Sequence, residues 1–203
     1  MHPKLAEYID RAIRGINVIP EDRKHRIEEV AAFVSSTRQA GNSADLTFIC
    51  THNSRRSHMG QLWAAAAAAY FGIDGVCTYS GGTEATAFNP RAVTAMEKAG
   101  FVIEKPGGDN PRYLASFDEG GPMLECFSKT YDDSFNPADG FAAIMMCSEA
   151  DEACPVVLGA VLRAPIWYED PKVADGTPEE ASAYDERCLQ IATEMLYLFS
   201  RVA

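Results

Sequence analysis

Apolar positions recur at helical spacing through the first forty residues: Leu5, Tyr8, Ile9, Ala12, Ile13 and Ile16, then Ile27, Val30, Ala31 and Val34. Pro20 with Glu21 and Asp22 suits the start of the second helix. The polar, glycine-bearing stretch "QAGNSAD" closes this predicted N-terminal helical extension, residues 1–43. The period then changes. "LTFIC", "GVCTYSGG" and "GFAAIMMC" are short apolar runs that predict buried strands, and "VVLGAVLRAPIWYEDP" ends in a further short strand or loop. Between them, Ser57 to Phe71 and "NPRAVTAMEKAG" are helical, the latter with Pro90 in its first turn and Gly100 as its stop. A long terminal helix is predicted from Thr177 as N-cap, with Pro178 at the first position and Glu180 completing a capping box. Its inner face would carry Ala181, Tyr184, Cys188, Ile191, Met195 and Leu198. Residues 104–139, rich in Gly, Pro, Asp and Ser, read as an irregular insertion.

Strands alternating with helices imply an α/β domain, here residues 44–203, whose parallel sheet is covered on both faces. In such sheets reactive groups gather beyond the carboxyl ends of the strands. Three features end apolar runs that way: Cys50, Cys147 and the Asp170-Pro171 pair.

Composition narrows the function. The chain has 203 residues, 47% apolar and 23% charged, as in ordinary globular proteins. Its net charge of -11 argues against nucleic acid as a partner and requires a small anionic substrate to find a strongly local positive site. No apolar run approaches the roughly 20 residues of a membrane helix. "MHPKLAEYIDRAIRG" has charges throughout and no signal core, so a cytoplasmic location, with the six cysteines reduced, is expected.

The stretch "CTHNSRRS", Cys50 to Ser57, carries the chemistry. A loop between a strand end and a helix start points several backbone N–H groups into one cup, and the helix terminus adds partial positive charge. Such a cup binds a tetrahedral oxyanion through Thr51, His52, Asn53, Ser54, Arg55, Arg56 and Ser57. Arg56 can hold two of its oxygens with a forked guanidinium. The same field favours the thiolate of a cysteine at the cup's base, and Ser57 can donate to it. Cys50 is therefore placed as a nucleophile. The competing reading makes Cys50 a buried structural thiol and Arg56 a solvated helix charge.

Cys-(five residues)-Arg-Ser resembles the phosphate-binding loop of the low-molecular-weight tyrosine phosphatases and of the thioredoxin-coupled arsenate reductases, which share a fold. The resemblance extends over "YSGGTEATAFNPRAVTAMEKAGF", "IMMCSEADEACP" and "WYEDPKVADGTPEEASAY". It implies a three-layer α/β fold with a four-stranded parallel sheet. His52 departs from the family pattern at a position usually held by glycine, which suggests a positive φ there. Arg55 stands where a small or apolar residue is common and would add charge at the mouth. His58 reads as a helix-surface residue.

Cys147 and Cys154, flanking "SEADEA", resemble the redox segment of the reductases, which the phosphatases lack. The resemblance implies arsenate reduction, with Cys50 taking arsenate, Cys147 attacking Cys50, and Cys154 attacking Cys147 to leave a disulfide for a thioredoxin-like reductant. No bound cofactor is implied. Asp170 would be the general acid, with Glu169 as its neighbour. The runner-up is a tyrosine phosphatase using Cys50, Arg56 and Asp170, with the other two thiols idle or packed; a non-catalytic oxyanion or phosphopeptide binder is a third reading. The reductases can hold potassium near the loop asparagine. Asn53 and Ser80 match that pattern, but Gln61 replaces its acidic position, so no metal is expected. Cys77, Cys126 and Cys188 are expected to pack, Cys126 being the most exposed to doubt because it lies in a polar stretch.

Overall fold

Two helices, α1 (Pro3–Arg14) and α2 (Glu21–Gln39), precede the first strand, β1 (Ala44–Cys50), in the computed structural model, which describes residues 1–202. There follow α3 (Arg56–Tyr70), β2 (Val76–Gly82), α4 (Pro90–Ala99), β3 (Val102–Glu104), β4 (Tyr113–Ser116), β5 (Leu124–Cys126) and β6 (Phe141–Met145). The chain ends with α5 (Ser148–Ala153), β7 (Ala160–Pro165) and α6 (Glu180–Ser200).

β1, β2, β6 and β7 form one parallel sheet in the order β2-β1-β6-β7. β1 and β6 are its central strands and are buried along nearly their whole length, as strands covered on both faces must be. The chain passes from β1 to β2 on one side and returns to β6 on the other, so the switch point falls between β1 and β6. Ile49 is in register with Met145, which brings the carboxyl ends of these two strands side by side. The sheet and its flanking helices make the expected three-layer α/β architecture.

α3 is nearly all alanine after Trp63 and packs closely on the sheet; a Cβ at Gly60 would stand 2.5 Å from the Phe48 ring. α6 packs against α1, α2, α3 and α4, and is buried almost all round from Ile191 to Phe199. A one-sided inner face was therefore too narrow an expectation, and Ala181 at its start is exposed. The helix also begins at Glu180 rather than just after Thr177. The expected capping box does not form between the two residues: Thr177 Oγ1 accepts from the Glu179 amide at 3.2 Å, and Glu180 Oε2 from the Gly176 amide at 2.7 Å, so each side chain satisfies a neighbouring amide of the turn before the helix.

The N-terminal helices share the main core. Leu5, Ile9, Ala12, Ile27, Val30 and Val34 are buried in it, and Tyr8 stacks on Trp63 with 5.4 Å between ring centroids. Residues 104–139 are more regular than their composition suggests. β3, β4 and β5 form a small antiparallel sheet, and the strap after it is tied to the end of β2 by Gly82 N–H to Lys129 O and Tyr131 N–H to Gly82 O, both 2.9 Å.

Candidate active site

The loop leaving β1 is turned by its own outward hydrogen bonds. Cys50 O accepts from the Thr83 amide at 3.2 Å, Thr51 O from Glu84 at 2.9 Å, and Ser54 O from Asn89 at 2.8 Å. His52 O accepts from Ser128 Oγ at 2.9 Å and Thr86 Oγ1 at 3.1 Å. With four carbonyls held outward, the peptide planes turn their N–H groups inward. Among the described residues, no hydrogen bond from the amides of His52 to Ser57 is spent on the protein's own acceptors. That is an anion-binding nest at a helix N-terminus. Gly82 makes the fit possible: a Cβ there would meet Glu84 O at 2.4 Å and Asn53 N at 2.7 Å.

At the base of the cup Cys50 is buried, with Sγ 3.1 Å from Ser57 Oγ. Asn53 Nδ2 donates to the same Ser57 oxygen at 2.8 Å, and Asn53 Oδ1 accepts from the Lys129 amide at 2.9 Å. Asn53 has φ 44° and is the one non-glycine residue described with positive φ. The strained position is therefore Asn53 and not His52, whose ring turns outward to Glu84 at 2.9 Å.

Arg56 is buried on the first turn of α3. Nη1 donates to Tyr168 O at 2.8 Å and Nη2 to Asp170 Oδ2 at 2.7 Å, while Nε is buried without a partner. An unpartnered buried guanidinium N–H beside a nest is a donor held for an oxyanion. Asp170 also caps the short turn after it, accepting from the Lys172 amide at 3.0 Å. Arg55 adds less charge at the mouth than expected: Nε donates to Tyr184 Oη at 2.8 Å, and the guanidinium lies 3.7 Å from Asp175 and 4.0 Å from Asp170.

Cys147 follows β6 and is buried, its Sγ 3.5 Å from Thr51 Oγ1. The Met146 amide donates to Ile49 O at 2.7 Å, so the chain reaches Cys147 directly alongside the β1 terminus. Burial pushes the Cys147 thiol up, and the nearby Arg56 opposes that shift. Glu149 is held below its usual value first by its own backbone amide, with Cys147 and Arg56 adding to the effect. α5 fills the interval to Cys154, which is partly exposed. Arg163 pins this helix, donating to Asp151 O at 2.6 Å and to Cys154 O at 3.2 Å.

His58 is fully buried and not on the surface: the first turn of α3 faces inward, with Nδ1 3.1 Å from Ser80 Oγ and the ring 4.1 Å from Phe88. Burial, reinforced by Lys129, lowers its pKa to about 3, so it is a neutral ring and no base. Lys129 is itself buried between Phe127 and Phe135 and drops to about 8, mainly through desolvation. The potassium pattern does not fit. Asn53 Oδ1 is taken by Lys129 N–H, Ser80 Oγ by His58, and a lysine cation stands in the same neighbourhood. Cys126 lies in β5, fully buried, and is raised to about 12 by desolvation. Glu194, Lys129 and Gly82 were not singled out in the sequence. A glycine closing an apolar run, as in "YSGG", is the only signal that pointed toward any of them.

No family model matches the chain. Among curated proteins it is 33% identical over 140 residues to an arsenate reductase of Bacillus subtilis, covering 69% of this chain and 83% of that one. It is 32% identical over 142 residues to an arsenate reductase of Bacillus licheniformis, with the same coverage. The chain belongs to the arsenate reductase family. Solved structures agree on the family's fold. A low-molecular-weight phosphotyrosine phosphatase from Vibrio cholerae matches with TM-score 0.52 at 13% identity, over 78% of this chain and 95% of that one. An arsenate reductase in a phosphate-binding state matches with TM-score 0.50 at 18% identity, over 79% and 99%.

Proposed function

We propose that the protein reduces arsenate to arsenite through a Cys50–Cys147–Cys154 relay. The observation that carries this reading is the position of Cys147, whose thiol borders the Cys50 loop through Thr51 and is separated from Cys154 by one short helix. Arsenate would sit in the nest under Arg56. The Cys50 thiolate displaces one arsenate oxygen, which leaves as water after protonation by Asp170, and an S–As bond forms. The Cys147 thiolate then attacks Cys50 Sγ. The S–S bond forms, the S–As bond breaks, and its electron pair stays on arsenic, which leaves as arsenite. Cys154 attacks Cys147 Sγ, regenerating the Cys50 thiolate and leaving a Cys147–Cys154 disulfide. A dithiol reductant of the thioredoxin type returns two electrons and two protons. No resident metal or cofactor takes part, and the reading places the reaction in the cytoplasm.

The final exchange requires α5 to yield. Bridging needs Cα atoms within about 7 Å, whereas residues seven apart on an intact helix are about 10.5 Å apart along its axis. A six-residue helix is short enough to unwind at modest cost.

A second reading rests on Asp170. Its carboxylate lies 2.7 Å from Arg56 at the mouth of the nest, where a phosphatase needs a general acid. Phosphate monoester hydrolysis through a Cys50 thiophosphate would use the same residues without Cys147 or Cys154. Arsenate-dependent NADPH consumption with thioredoxin and its reductase separates the two. The reductase reading expects multiple turnovers from wild type and about one equivalent of arsenite from Cys154→Ser. No consumption by wild type would overturn it with this reductant.

A further inference from the structure

A line of buried and half-buried hydrogen bonds joins α2 to Arg56. Arg23, on α2, grips Glu194 of α6 with two bonds, Nε to Oε1 at 2.6 Å and Nη2 to Oε2 at 2.9 Å. Tyr168 donates its hydroxyl to the same Oε2 at 2.5 Å, and its ring lies 4.6 Å from the Arg23 guanidinium carbon. Gln190 adds a 3.3 Å bond to Glu194 Oε1. Glu194 is 2% exposed and Tyr168 4%. The backbone of Tyr168 is fixed at both ends: its N–H donates to Met146 O at 3.0 Å, and its carbonyl accepts Arg56 Nη1 at 2.8 Å. Two residues further on stands Asp170.

The chemistry of this line is directional. A carboxylate this deeply buried is tolerated only when paired and hydrogen-bonded, and Arg23 supplies the pair. The carboxylate then fixes the Tyr168 hydroxyl, the ring fixes the backbone, and the backbone presents one carbonyl to Arg56. That carbonyl and Asp170 are the only acceptors of the Arg56 guanidinium among the described residues, so they set where its free Nε points. The Arg23 guanidinium touches both members of the line at once, bidentate on the Glu194 carboxylate and 4.6 Å over the Tyr168 ring.

We propose that Arg23, in the N-terminal extension, is a positioning residue for the oxyanion site: through Glu194 and Tyr168 it fixes the carbonyl that aims Arg56 and the backbone that carries Asp170. The proposal rests on the reading of Cys50–Ser57 as an oxyanion cup, and is independent of whether arsenate or a phosphate ester is turned over.

The test measures inorganic phosphate binding by calorimetry, with thermal unfolding in parallel, for wild type, Arg23→Met, Arg23→Met/Glu194→Met and Tyr168→Phe. The double variant removes the buried charge together with its partner, so it keeps the fold if Arg23→Met alone does not. The expected result is a recovered thermal midpoint in the double variant with phosphate affinity still about tenfold below wild type, the scale of one charge-assisted hydrogen bond. Tyr168→Phe, which leaves the Arg23–Glu194 pair whole, is expected to weaken phosphate at least threefold. Wild-type affinity in the double variant and in Tyr168→Phe would overturn the proposal and leave Arg23 a purely structural partner. Failure of wild type to bind phosphate or arsenate at all would instead overturn the oxyanion cup itself.

Discussion

Arg56 and Asn53 divide the work of the cup between charge and shape. Arg56 supplies the buried positive charge that the chain's net -11 otherwise denies an anion. Asn53 holds a left-handed backbone at φ 44° and bonds both Ser57 and Lys129. Asn53→Ala is expected to cut kcat/KM for arsenate by about 10²–10³, the scale of losing a preorganised donor, with the fold retained by circular dichroism. His58 and Lys129 give stability a pH signature. A histidine at about 3 in the fold and near 6.5 unfolded binds its proton in the unfolded state first, so stability is lost as pH falls from about 6.5 toward 3. For Lys129, at about 8 folded and about 10.4 unfolded, the same reasoning makes stability rise with pH across that interval. Thermal midpoints from pH 7 to 4 should therefore flatten in His58→Gln relative to wild type; parallel curves would contradict the assignment. The cup was legible in the sequence because Cys50, Asn53, Arg56 and Ser57 lie within eight residues. The burial of His58 was not, because Ser80 is 22 residues away and the reading of a polar residue on a helix defaults to its surface.

The elements place the thiols. β1 and β6 are adjacent and in register, so two cysteines almost a hundred residues apart emerge together. Alternating strands and helices were readable from periodicity, and so was the convergence at the carboxyl ends. The β3–β5 sheet was not, since strands of three or four residues carry too little pattern. Yet its strap is what receives Asn53 and crosses the end of β2. Gly82→Ala tests that junction. Its Cβ would press on two carbonyls and an amide of the loop region at 2.4–2.7 Å, and backbone cannot swing aside as a side chain can. The expected outcome is at least a tenfold weaker phosphate complex and a destabilisation of about 1–3 kcal/mol in denaturant titrations.

At the scale of the whole molecule, the helical extension and the α/β domain share one core, and the division at residue 43 marks a change of pattern in the sequence. Leu5 and Ile9 are fully buried against the same cluster as Trp63 and α6. Leu5→Ala is expected to cost about 2–5 kcal/mol of global stability in a single cooperative transition followed by tryptophan fluorescence; an early separate transition confined to α1 would contradict the shared core. The sequence announced both helices but gave no sign of where they dock, because docking depends on long-range partners such as Arg23 with Glu194. The central claim concerns three sulfurs, and it is tested most directly by mapping disulfides by mass spectrometry after a single exposure of Cys154→Ser to arsenate. The relay predicts one equivalent of arsenite and a Cys50–Cys147 disulfide, with wild type giving Cys147–Cys154 instead. Arsenite release without a Cys50–Cys147 bond, or reduced thiols throughout, would contradict it.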